Sequence, residues 1–165
     1  MKSILMCACG IALIISCSNP PKVIEYTIED VVFDFEGPLY AGPNTAQAEI
    51  AIDVDDLLSE LEMTSATIHG ATLKTARIES EDGPFSGIQS FVVQFAGTSS
   101  NMVQAAVLNP VPADTIVHLN PSREAALRDL VREKQFYALL DADIANDTDS
   151  SFTLFGTFTF LIEVK

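Results

Sequence analysis

A chain of 165 residues with nine Lys and Arg against 23 Asp and Glu carries a formal charge of −14. That excludes nucleic acid as a partner, because phosphate recognition needs a basic footprint. The same acidity repels anionic lipid headgroups, so membrane contact has to come from something other than the folded surface.

The chain opens with a short positive start (Met1, Lys2) and an apolar run from Ile4 to Ile15. The run is too short for a spanning helix, which needs about 20 residues. It suits the core of a secretory signal, and Pro20 and Pro21 end the apolar segment at once. An uncleaved N-terminal anchor is the alternative. The sequence Ile14-Ile15-Ser16-Cys17 resembles the lipobox of bacterial lipoproteins. The resemblance implies cleavage before Cys17 and acylation of that cysteine, hence a membrane-anchored protein of the cell envelope. Ser18 and Asn19, with no Asp directly after the cysteine, imply the periplasmic face of the outer membrane, with surface exposure left open. The expected organisation is a signal peptide over 1–16, a lipidated Cys and short tether over 17–22, and one domain over 23–165.

The three cysteines are Cys7, Cys9 and Cys17. Two leave with the signal and the third carries lipid. The domain then has no thiol chemistry, no disulfide and no Cys-ligated zinc, and must be held by its core.

Period-two patterning dominates the rest. Residues 23–36 fit one strand if an extra residue near Glu29-Asp30 forms a β-bulge. In 46–54, Ala46, Ala48, Ile50, Ile52 and Val54 share a face. Asp55–Leu61 switches to helical spacing. Strands follow at 66–79 (broken near His69-Gly70), 87–97, 101–108 and 113–119. Asn120-Pro121 reads as a helix start, N-cap then Pro at the first helical position, with Ala126, Leu127, Leu130 and Val131 as its apolar stripe. Arg123, Arg128, Arg132 and Lys134 alternate with Glu124, Asp129 and Glu133, a solvated helix face. The last strands are 136–144 and 151–164. The latter sets Phe152, Leu154, Phe158, Phe160, Ile162 and Val164 on one side, broken only by Gly156. Many short strands between turn signals predict a mainly β domain, a two-sheet antiparallel β-sandwich with one or two short capping helices. In shape alone this is similar to small sandwich domains of other envelope lipoproteins.

Catalytic signatures are absent: no G-x-S-x-G, no H-E-x-x-H, no P-loop, no G-x-G-x-x-G. The two histidines, His69 and His118, have no ligand or triad spacing. No catalytic residue and no required cofactor is expected. The most site-like cluster is Asp141, Asp143, Asn146, Asp147 and Asp149, an oxygen-rich turn that would suit Ca²⁺. It departs from an EF-hand: Asn146 stands where that loop needs Gly, and Phe152 where it needs Glu. A solvated turn between two strands is the preferred account, since Asn and Asp are good turn formers. Phe155 and Leu161, opposite the main apolar face of the last strand, would line a lipid site between sheets, or simply pack.

The sequence therefore predicts a lipid-anchored envelope protein, not an enzyme, acting as a non-catalytic binding or structural interaction module for an unidentified envelope protein. A carrier of an apolar ligand and a calcium-dependent binding domain are the alternatives. An interaction module should expose an apolar patch or open sheet edge. A carrier should hold a pocket of roughly 300–1,000 Å³. An enzyme should gather a histidine with carboxylates in one cleft.

Overall fold

The computed structural model describes residues 21–53, 56, 58, 59 and 68–165. The signal, Cys17 and most of the tether lie outside the described residues. Among the described residues eight strands run in chain order: β1 (Lys22–Phe35), β2 (Gly42–Ala51), β3 (Ile68–Ser80), β4 (Ile88–Gly97), β5 (Val103–Leu108), β6 (Ile116–Pro121), β7 (Gln135–Ile144) and β8 (Phe152–Val164). Helix α1 (Arg128–Glu133) precedes β7.

All pairings are antiparallel, and the hydrogen-bonded order is β1-β8-β3-β6-β5-β4-β7-β2. β1 and β2, at the two ends of that order, lie side by side, so the sheet curls into a nearly closed barrel. The mainly β, antiparallel expectation holds. The expected division into two sheets gives way to one unbroken order, although its β5–β6 junction is thin: Ala106↔Pro121 and Val107↔Asn120.

The bulge in β1 falls where the residue phases demanded it. Register shifts between Ile28 and Val31, and Asp30 takes a left-handed φ of 55°. The shift lets Ile24 on one side of the bulge and Val31, Phe33 and Phe35 on the other all point inward. β3 likewise slips between Ile68 and Gly70, where the sequence breaks.

Inward-facing residues fill the barrel. Phe95 sits among Phe136, Phe158 and Phe160, with ring centroids 5.6, 5.5 and 5.5 Å away, and all four side chains are fully buried. The contacts with Phe136 and Phe158 are edge-to-face, a geometry that stabilises beyond the area it buries. Among the described residues no polar or charged side chain is buried.

The expected helix start at Asn120-Pro121 is corrected. Both residues end β6 and pair with β5. Pro lacks an N–H, and a strand end tolerates that as readily as a first helical turn. The helix begins later, and Ala125 rather than Ala126 joins Leu127, Leu130 and Val131 in the core. In the other expected helix, Asp56, Leu58 and Ser59 are helical, and Asp53 Oδ1 accepts the Asp56 N–H at 3.0 Å, an N-cap contact. The rest of that stretch lies outside the described residues.

The topology sorts the connections to two ends. One end, the mouth, collects 36–41, 81–87, 109–115 and 145–151. The other, the base, collects the start of β1, the end of β8, the β2–β3 and β4–β5 connections and the α1 segment.

Candidate functional site

A cavity of about 350 Å³ opens at the mouth, between the β3–β4 and β7–β8 connections. Its floor is apolar: Phe85, Ile88, Ile144, Phe152 and Leu154. The floor is fixed from behind, since Phe85 meets Phe91 edge-on at 5.2 Å and Phe152 stacks on Phe35 at 4.7 Å. Its rim is hydroxyl- and acid-bearing: Ser86, Thr148, Ser150, Ser151, Asp82 and Asp147 among others.

Local sequence explains why these loops hold their shape. Gly83 and Gly87 have φ of +124° and +87°, values L side chains rarely adopt, so the β3–β4 loop turns at both. Phe85 N–H donates to Asp114 O at 2.9 Å, and Ala145 N–H to Gly87 O at 2.8 Å, which ties three mouth loops together. The fourth joins through a two-way backbone bridge between Leu39 and Thr148 (2.8 and 2.9 Å). Ala41 N–H donates to Asp147 Oδ1 at 2.8 Å, and Gly37 N–H to Ser151 Oγ at 3.0 Å. Gly37 allows this close approach: a Cβ there would stand 2.6 Å from Asp149 O.

Charge is unevenly shared between the two ends. The four mouth connections carry Glu36, Glu81, Asp82, Asp114, Asp147 and Asp149, with no Lys, Arg or His. Six of the eight Lys and Arg in residues 22–165 lie at the base: Lys22, Arg123, Arg128, Arg132, Lys134 and Lys165. Acids accompany them there, among them Asp53, Glu124 and Asp129.

The oxygen-rich cluster is split by this geometry. Alternation along β7 puts Asp141 and Asp143 on the outer face, where Asp141 accepts from Thr45 Oγ1 (2.5 Å) and Gln94 Nε2 (3.1 Å). The chain then curls over the mouth, where all three residues are exposed: Asn146 and Asp147 stand at the edge of the cavity, and Asp149 lies outside its lining. Among the described residues no three His, Cys, Asp or Glu side chains converge to hold a metal ion.

Phe155 and Leu161 also lie on the outer face of β8, half-buried and away from the packed interior. Phe155 sits in register between Val32 and Glu79, and Leu161 between Glu25 and Thr72. Leu161 borders an open groove at the base with His69, Arg123, Glu124, Arg128 and Glu163. His118 stands apart on β6, in register with Arg77.

Glu133, taken from the sequence as part of a solvated face, has a specific role. Its carboxylate accepts from Thr98 N–H (2.7 Å), Thr98 Oγ1 (2.9 Å), Ser99 N–H (3.2 Å) and Ser100 Oγ. The Ser100 hydroxyl first, then these other donors, lower its pKa from an ordinary 4.5 to about 2. Glu133 thus closes the β4–β5 turn at the base.

No protein-family model matches the chain, and no curated protein matches it.

Of the mouth residues missed by sequence reading, Phe85, Ser86 and Ser150 sit between the predicted strands, and Ser151 opens the last one. What makes them a site is that two connections 64 residues apart (81 to 145) meet at one end of the barrel. That is a property of strand order and not of any local pattern.

Proposed function

We propose that this is a non-catalytic binding module of the cell envelope, tethered through lipid on Cys17 and presenting a small-ligand site at the far end of its barrel. The observation that carries the reading is the mouth cavity: apolar floor, hydroxyl rim and a volume of about 350 Å³, at the end opposite the start of β1. Barrel mouths are recurrent ligand sites, and a few polar groups around an apolar floor fix a ligand's orientation.

The tether supports the same arrangement. Four residues lie between Cys17 and Lys22, a reach of at most about 18 Å over five Cα steps. An anchor there holds the base near the bilayer. Strands of 13 or 14 residues, roughly 40 Å long, carry the mouth away from it. The ligand thus arrives from the aqueous side.

The absence of a motif and the separation of His69 from His118 favour binding over catalysis. A second reading has its own observation. Among the described residues β1 and β2 share no ladder, which leaves two strand edges beside each other. A partner protein could add a strand there, the mode expected of an interaction module.

Native mass spectrometry of the full chain, gently extracted from its own membrane, tests the proposal. Acyl mass plus a bound small molecule is the expected result. A co-extracted protein with an empty mouth would favour the seam between β1 and β2.

A further inference from the structure

We propose that the mouth cavity takes a small organic cation with an apolar body, an alkyl- or arylammonium. This rests on reading the mouth as the binding site, and adds the ligand's chemical class.

Three observations combine. The first is shape: a floor of Phe85, Phe152 and Leu154 in about 350 Å³ fits a hydrocarbon group of modest size and is too small for a pair of acyl chains. The second is local charge. Asp82 and Asp147 both line the cavity, and its lining includes no Lys, Arg or His. Asp147 Oδ1 accepts from the Ala41 N–H, and among the described residues its other carboxylate oxygen has no protein partner. The third is the field around the site: all six side chains of the four mouth connections that carry charge at neutral pH are carboxylates.

An anion entering this site would meet two carboxylates and no counter-charge. A neutral ligand would gain only the apolar floor and the hydroxyls. An ammonium gains both, and a cation near the phenylalanine rings is further favoured by their electron-rich faces. The acidic rim also speeds arrival of a cation. Among the described residues no three His, Cys, Asp or Glu side chains converge to hold a metal ion, whereas an organic cation needs only one or two carboxylates and an apolar wall.

Equilibrium dialysis of the full chain in nanodiscs of zwitterionic lipid, with empty nanodiscs subtracted, tests this with three probes of one shape: phenethylammonium, 2-phenylethanol and phenylacetate. Ca²⁺ serves as a fourth arm. The expected order is phenethylammonium about five- to tenfold tighter than 2-phenylethanol, with phenylacetate weakest. The preference should shrink as salt is raised. Asp82→Asn with Asp147→Asn should remove most of the amine's advantage over the alcohol while the alcohol's own affinity stays unchanged. That last control separates lost charge from a lost fold, since Asn at 147 can still accept from Ala41. Equal or tighter binding of the alcohol or the acid would overturn the cation class while leaving the mouth as a binding site. Binding of Ca²⁺ alone, or of no probe, would overturn the proposal. Native mass spectrometry of the membrane-extracted chain would then judge the binding reading separately.

Discussion

At the residue scale, two positions show how little slack the barrel has. Gly156 is buried in β8 opposite the β1 bulge, and a Cβ there would stand 2.9 Å from the rings of both Phe33 and Phe158. Those rings meet edge-on at 6.3 Å and are fully buried, so neither can swing aside. Gly156→Ala should destabilise the fold by about 1–3 kcal/mol through overpacking, read as a lower urea midpoint with an unchanged slope. Glu133 gives a prediction in pH. Its carboxylate is ionised in both folded and unfolded chains above about 4.5, where its contribution is fully present. As pH falls towards about 2, the unfolded chain takes up a proton that the folded one resists, so that contribution is lost across this window. In Glu133→Gln this part of the acid sensitivity should vanish, leaving a shallower fall in melting temperature between the two values. An unchanged acid profile would mean that the Thr98–Ser100 turn does not depend on the ionised carboxylate.

At the scale of single elements, the β1 bulge joins sequence to packing. Asp30 holds φ at 55°, a region that Asp and Asn tolerate and β-branched residues do not. Asp30→Gly should be neutral or slightly stabilising, and Asp30→Val should cost about 1–2 kcal/mol, measured by chemical denaturation. Equal stability of the two variants would show that the bulge relocates freely. This bulge is legible in the sequence. Ile24, Tyr26 and Ile28 keep one phase while Val31, Phe33 and Phe35 keep the other, and only an inserted residue reconciles them. The strands were legible for the same reason, since one buried face imposes alternation. The segment Asn120–Leu127 was not. Its Asn-Pro pair satisfies the local chemistry of a helix start and of a strand end alike, and pairing with Ala106 and Val107, far off in sequence, decides between them. Asp141 and Asp143 were misleading in the same way. Proximity along the chain suggested a common ligand set, yet in β7 their side chains leave on the outer face while Asp147 turns into the mouth.

At the scale of the whole molecule, strand order produces what no local pattern contains: a mouth and a base with different chemistry. Four connections without one basic residue gather at the mouth, and six of the eight cations of residues 22–165 gather at the base beside the tether. The orientation that follows is testable with single thiols. In nanodiscs carrying a headgroup quencher, a fluorophore on Ser99→Cys at the base should be quenched more than one on Ser86→Cys at the mouth. The reverse order, or equal quenching, would mean that the barrel does not stand on its base. The same polarity accounts for an acidity that the sequence alone leaves as general solubility, because a share of it surrounds one cavity.

Hydrogen–deuterium exchange tests the binding account most directly, on the full chain in nanodiscs with and without a small-molecule extract of the cell envelope. The account predicts slower exchange in 81–87 and 145–151, with 98–102 and 122–134 unchanged. Protection confined to β1 and β2, or no change at the mouth, would contradict it.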